Sequence, residues 1–395
     1  MTNKRIDRRT ALKSIAGTAV VSTGVVGFPG ILKAQDQVKI GFLTALTGIT
    51  SIYGETQQRC FELAVDEINA AGGAGGRELT YIVEDDQANT KAGIDKARKL
   101  IGRDKVDVII GMIASLERQA ALSVTSPAKK LLIYTTYYEG NECDKYLVCT
   151  GQLPNQQIDP IVPWVMNNMG KSVYVMGSDY VWPRGSTEQL NKALEANGGS
   201  LVGADFFPFG TQDFGPAFSK IKDANPDIVW FMFAGSDSIT SVKQYRSFGM
   251  KPELVYHGWD EANLRAVTPG EQAGIIASMA YFQQLDTPVN NAFVKRFADK
   301  YGADKPINAI GESTYVATWL YAKAVAKAGS TDPEKVIPAL SQVEHEAPQG
   351  RVNISAENNH MLCNSILARV NDRASFDIIE NYGQIEPVVE GCNLA

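Results

Sequence analysis

The chain has 395 residues, enough for two domains of ordinary size, and its 44% hydrophobic and 21% charged content is that of a globular protein. No internal run reaches the roughly 18 apolar residues that cross a bilayer. Six basic residues against Asp7 put +5 on residues 1–34, so the net charge of −6 leaves −11 on the remainder, and a general affinity for nucleic acid or anionic lipid is excluded.

Residues 1–34 read as an export leader. Arg8-Arg9 followed by Thr10-Ala11-Leu12-Lys13 is a twin-arginine pattern, Ser14 to Phe28 is a short Gly-rich apolar core, and a small-residue cut falls near Ala34. No cysteine lies near the cut to carry a lipid, so the expectation is a free periplasmic protein with no stable membrane anchor. Cys60, Cys143, Cys149, Cys363 and Cys392 are an odd number, and an oxidising compartment permits disulfides. Cys143–Cys149 would close a short loop; Cys143–Cys392 would tie down the C-terminal tail. Neither these cysteines nor the scattered His257, His345 and His360 follow a metal-ligand spacing.

Val38 to Leu43 is a short buried strand, and from about Tyr53 the apolar period turns helical through Phe61, Ala64, Val65 and Ile68. Gly72 to Gly76 turn the chain into a strand at Leu79 to Val83. Thr90–Ile101, Val106–Ile110, Ser115–Thr125 and Leu131–Thr135 continue the helix–strand alternation, which implies parallel βαβ units. The pattern breaks at Gly151 to Asn155 and restarts through helices at 158–169, 186–196, 214–224 and 238–248. The strands between them are 172–176, 200–206, 227–233, 254–256 and 275–281. Residues 288–343 are nearly all helical, and 351–354, 365–370 and 376–379 read as strands. The expected fold is α/β, with two doubly wound parallel-sheet lobes joined by a three-segment hinge. Lobe 1 takes residues 35–152 and 284–346; lobe 2 takes 153–283 and 347–395.

Ligands of open α/β sheets sit at the carboxyl edges of the strands, so the loops there are the candidates. The loop at Thr47-Gly48 follows the first strand. Ser115 follows Val106–Ile110 at the start of a helix, where it can cap the helix and share free N–H groups with a ligand. Tyr134, Thr136 and Tyr137 follow the fourth strand, and Tyr180 and Trp182 follow the first strand of lobe 2. Asp237, Trp259 and Glu261 lie on two further edges, where the acids could pair with an ammonium or amide N–H. No Gly-x-Ser-x-Gly elbow, phosphate loop or H-E-x-x-H pattern is present, and Gly72 to Gly76 follow a helix instead of preceding one.

Tyr138-Glu139-Gly140, Leu153-Pro154-Asn155-Gln156-Gln157, Gly177 to Arg184 (GSDYVWPR), and Ala347-Pro348-Gln349-Gly350 with Asn358-Asn359-His360 carry a resemblance. Over essentially the whole mature chain the sequence resembles a type I periplasmic solute-binding protein of an ABC importer. It is most similar to the urea and short-chain amide branch of the branched-chain amino acid group. That resemblance implies a small-molecule ligand in an interlobe cleft, delivery to an ABC permease and ATPase complex in the inner membrane, and no cofactor. It implies that Ser115 and Thr136 hold the ligand's carbonyl or carboxylate, Tyr134 forms a wall and Tyr180 reaches across from lobe 2. Ile113, Tyr137 and Trp182 depart from the pattern of amide binders. Alternatives are a branched-chain amino acid ligand, whose ammonium would need Glu261 or Asp237, and a periplasmic ligand sensor for a regulatory partner. An exported enzyme is the remaining rival, weakened by the missing metal and nucleotide motifs.

Overall fold

A computed structural model describes residues 37–395, so the expected leader at 1–34 lies outside the described residues. The chain begins with β1 (Val38–Thr44), α1 (Ser51–Ala70), β2 (Leu79–Asp85), α2 (Thr90–Gly102), β3 (Val108–Gly111), α3 (Ser115–Thr125), β4 (Leu131–Tyr134) and β5 (Leu147–Cys149). These strands form one all-parallel sheet in the order β2-β1-β3-β4-β5. β1, β3 and β4 are almost wholly buried, as expected for strands covered by helices on both faces.

The second block runs α4 (Pro154–Gln157), α5 (Val162–Asn168), β6 (Ser172–Ser178), α6 (Val181–Ala196), β7 (Ser200–Phe207), α7 (Gly215–Ala224) and β8 (Ile228–Met232). It continues with α8 (Ser236–Ser247), β9 (Glu253–Tyr256), the single turns α9 (Glu261–Leu264) and α10 (Pro269–Gln272), and β10 (Ile276–Met279). Three helices follow, α11 (Pro288–Tyr301), α12 (Ala309–Ala328) and α13 (Pro333–Leu340). Of these, α12 packs on α1 and touches β3, so it lies on the first sheet. The chain ends in β11 (Glu344–Ala347), β12 (Gly350–Ile354), β13 (Met361–Val370) and β14 (Phe376–Ile385).

The second sheet has nine strands, ordered β11-β12-β13-β10-β9-β8-β6-β7 with β14 on β13. Its β6 to β10 part is parallel, but β11 to β14 join it antiparallel. The reason is local: β11 and β12 are joined by Pro348 and Gln349 alone, and so short a link cannot return a chain for parallel pairing. β5 and β11 are short strands that periodicity did not resolve. Helix α6 starts at Val181, five residues before the expected Ser186, because Pro183 falls in the first turn, where no backbone donor is needed.

Gln152, Gln156 and Gln157 brace the chain where it passes between the sheets. Gln152 Nε2 donates to the Asn364 carbonyl at 2.9 Å, Gln156 Nε2 to those of Met361 and Ile385, and Gln157 Nε2 to that of Ser278. Sequence left the pairing of the five cysteines open; Cys143–Cys392 forms, with Cα atoms 5.6 Å apart and a separation of 249 residues. It fastens the tail after β14 to the loop after β4. Cys60, Cys149 and Cys363 are free and buried. Cross-linking so long a loop constrains the unfolded chain, so Cys392→Ser is expected to lower stability by about 2–5 kcal/mol. Denaturant titration of the oxidised protein against the variant measures this, and coincident curves would contradict it.

Candidate functional site

The carboxyl edges of the two sheets face each other across a cavity with about 310 Å³ of empty space, including the part that opens to solvent. The first sheet and its helices contribute Thr50, Tyr53, Ile113, Ala114, Ser115, Tyr134, Thr136, Tyr137 and Ile310 to the lining. The second contributes Tyr180, Trp182 and Ala234. Six of the nine residues expected at the site therefore meet here: Ser115, Tyr134, Thr136, Tyr137, Tyr180 and Trp182.

Asp237, Trp259 and Glu261 do not line it. The Asp237 carboxylate accepts from the backbone N–H of Gly210 at 2.9 Å. Trp259 packs on Tyr256 with ring centroids 4.8 Å apart, and Glu261 accepts from the backbone N–H of Gln283 at 2.6 Å. Each is spent on a contact elsewhere in the second block of the chain. Thr47 differs similarly: its hydroxyl donates to Asp85 at 2.7 Å, and the cavity is reached three and six residues later by Thr50 and Tyr53. Strand-edge reasoning located the loops, but the first turn of α1 had no marker to single out Tyr53, and Ile310 enters from a helix far along the chain.

β3 ends in strained backbone that sets the cavity floor. Met112, a residue with a side chain, has φ of 68°, a conformation that persists only where its surroundings impose it. Its carbonyl accepts from Gln57 Nε2 at 3.0 Å and from the Thr136 hydroxyl at 2.9 Å. The Tyr134 hydroxyl donates to the Ile113 carbonyl at 2.6 Å, and the Ser115 hydroxyl donates to Glu139 at 2.5 Å. Ser115 is thus no helix cap: it is the first residue of α3, and Ala114 holds the cap position. Three hydroxyls at this wall have spent their hydrogen on the protein and offer only lone pairs to a ligand.

Across from them, no hydrogen bond among the described residues acts on the hydroxyls of Tyr137 and Tyr180. Burial, with neighbouring phenols and acids, holds both well above the ordinary phenol range, so they stay protonated. They remain free to donate. Tyr137, Trp182 and His257 form an aromatic group, with Trp182 stacked on His257 at 5.6 Å and 22°. Burial pushes His257 down to about 3, so the ring is neutral.

Behind the wall lies a buried ionic network that the sequence did not advertise. Arg118 is fully buried, bonds Glu139 at 2.7 Å and Glu142 at 3.3 Å, and donates to the Ser115 hydroxyl at 3.2 Å. Its guanidinium lies 4.1 Å from the Tyr138 ring centroid and 5.1 Å from that of Tyr134. Glu117 and Asp86 are buried nearby; burial and then Asp86 push Glu117 up to about 7, and burial and then Asp85 push Asp86 up to about 6.

A two-lobed α/β clamp with a polar, aromatic-walled cavity between its sheet edges is the architecture of a solute-binding protein. The chain belongs to the periplasmic binding protein family, whose pattern matches residues 37–375. Its Leu/Ile/Val-binding-like type I relatives are solute-binding proteins of ABC transporters and not enzymes, and the family is exported to the periplasm. The "Leucine-, isoleucine-, valine-, threonine-, and alanine-binding protein" of Pseudomonas aeruginosa is 24% identical over 340 residues, which is 85% of this chain and 90% of that one. An ABC transporter substrate-binding protein from Sphaerobacter thermophilus superposes with a TM-score of 0.80 at 24% identity, covering 90% of this chain and all of that one. A solute-binding protein from R. palustris in complex with benzoate gives 0.80 at 22%, covering 91% and 99%. No helix among the described residues is long and apolar enough to cross a membrane.

Two measurements check the network. Removing Glu139 strands a buried cation, so Glu139→Ala is expected to cost about 3 kcal/mol in denaturant titration, the low end of such losses because Glu142 remains. Glu117 has its pKa raised by folding, so the parent loses stability as pH rises through about 7. Glu117→Gln has no such loss. Its stability relative to the parent should climb between pH 5.5 and 8; a constant difference would remove Glu117 from the titrating groups.

Proposed function

We propose that this protein is the substrate-binding component of an ABC importer for a small, uncharged solute of the urea or short-chain amide class. It is exported by the twin-arginine route and delivers its load to an inner-membrane permease and ATPase. The observation that carries this reading is the complementarity of the lining. Ser115, Tyr134 and Thr136 offer acceptors on one side, Tyr137 and Tyr180 offer free phenol donors on the other, and no lining residue is charged. An amide N–H₂ matches the first set and its carbonyl the second, while flat aromatic walls suit a planar group. Both lobes contribute, so the ligand stabilises the closed clamp through contacts that the open form lacks.

The name of the Pseudomonas relative supports a branched-chain amino acid instead. An ammonium group then needs a counter-charge, and Asp237 and Glu261, the acids expected to supply one, are engaged elsewhere. Calorimetric titration with urea, acetamide, leucine and isoleucine separates the two readings. Binding of the amides with inert amino acids is expected; the reverse order would overturn the proposal. Thr136→Val keeps shape and removes one acceptor, so amide affinity should fall about five- to tenfold with little change in melting temperature.

A further inference from the structure

The segment after β14 leaves the second sheet and is held by both lobes. On the side of the second lobe it is clipped by Asn155 of α4, the helix that packs on α6 and β13. Asn155 Nδ2 donates to the Glu386 carbonyl at 2.8 Å, and its Oδ1 accepts from the Val388 N–H at 3.1 Å. Lys192 of α6 adds an ion pair to Glu390 at 3.5 Å, but both side chains are exposed and the pair contributes little. On the side of the first lobe, Val389 is buried in one core with Leu132 of β4 and Leu147 of β5, and Cys392 is bonded to Cys143. Cys143 moves with the first lobe: Glu142 before it pairs with Arg118 of α3 at 3.3 Å, and Asp144 after it accepts from the Ser126 hydroxyl, at the end of α3, at 2.6 Å.

We propose that residues 386–392, pinned by the Cys143–Cys392 disulfide, are a strap that limits how far the clamp opens. The strap is short. Four peptide steps separate Val388 from Cys392, and four residues of fully extended chain span at most about 14 Å. In the closed form the loop after β4 already meets α6, since a methyl group on Gly185 would stand 2.8 Å from the Glu139 Cβ. When α4 and α6 swing away from that loop, the Asn155 clip, the seat of Val389 and the disulfide are loaded in series. The disulfide is the one link of the three that is covalent, so opening beyond the reach of the strap must break the clip or unseat Val389. The ligand-free protein therefore samples a narrower range of open forms. A narrower open ensemble leaves more of the molecules ready to bind, which raises the apparent affinity. This role does not depend on which solute the cavity takes.

The experiment compares three forms of the full chain, oxidised and without ligand, by small-angle X-ray scattering. They are the parent, Cys392→Ser, and a variant with Gly-Ser-Gly-Ser inserted between Glu390 and Gly391. The insertion keeps the cross-link and lengthens a separation of 249 residues by only four, so the constraint on the unfolded chain is essentially unaltered. It nevertheless gives the strap about 14 Å more reach. Both variants should shift to a larger radius of gyration, and their affinity for acetamide in calorimetric titration should fall about threefold or more. The melting temperature should fall for Cys392→Ser alone. A disulfide that only stabilises the fold leaves the insertion variant scattering and binding like the parent, and that result overturns the proposal. The insertion variant decides by itself if Cys392→Ser does not melt cooperatively. A parent that ignores acetamide refutes the amide reading, while the scattering comparison, made without ligand, still accepts or rejects the strap.

Discussion

The arrangement depends on one buried cation. Arg118 has no exposed surface, and a guanidinium removed from water is tolerable only when its charge is paired; its Nε has no partner among the described residues, so the pairing falls to its terminal nitrogens. Glu139 meets it from the loop after β4, which fixes that loop against α3. The rings of Tyr134 and Tyr138 flank it, and Tyr138 in turn bonds His360, whose Nδ1 bonds the carbonyl of Asn358. The wall of the cavity, the loop that carries Thr136 and Tyr137, and the start of β13 in the second sheet are therefore parts of one polar chain. Ser115 is its last member on the ligand side. A solute that bonds Ser115 touches a group already held by Arg118 and Glu139, so the hydroxyl is presented without rotational freedom to lose.

Closure of the clamp is set by sterics as much as by polar contact. Gly235 and Gly258 belong to edges of the second sheet, and each lies where the first lobe comes closest. A methyl group on Gly235 would stand 2.3 Å from the carbonyl oxygen of Ile49, and one on Gly258 would stand 2.5 Å from the Tyr137 hydroxyl. Both have positive φ, at 63° and 103°, so a side chain would be refused by the backbone as well as by the space. The Tyr137 hydroxyl can thus stand over the cavity because its neighbour across the cleft has no side chain. The ring packed on Trp182 and the free hydroxyl are two ends of the same residue, one serving closure and the other recognition.

Much of this architecture was legible in the sequence. Period changes from strand to helix located nearly every element of the parallel sheets, and the rule that ligands sit at carboxyl edges led to Ser115, Thr136, Tyr137, Tyr180 and Trp182. What was not legible has a common cause. Asp237 and Glu261 sit on strand edges too, but a carboxylate there is equally useful to a backbone N–H of another loop, Gly210 for Asp237 and Gln283 for Glu261, and only the folded geometry decides between the two. Ser115 shows the converse: its place before a helix reads as a cap, yet the cap position falls on Ala114 and the hydroxyl is drawn to Glu139. The Arg118 network joins residues 115, 118, 139 and 142 in a geometry with no periodic signature, and Ile310 arrives from a helix that the chain adds after both sheets are begun.

The stretches that carried the resemblance turn out to be largely scaffold. Gln156 and Gln157 brace the chain between the sheets, Gln349 holds Glu312 through its backbone and side-chain N–H groups, and His360 holds Tyr138. Such residues specify how two lobes are hinged, which is common to clamps of many ligands. The GSDYVWPR stretch is the exception, since Tyr180 and Trp182 enter the cavity while Arg184 pairs with Asp179 on the surface. Likeness at the scaffold therefore predicts the device and says little about its load. The load is decided by a handful of side chains whose hydrogens point inward or outward. The reading proposed for this cavity, a neutral solute that carries its own N–H donors, rests on those side chains.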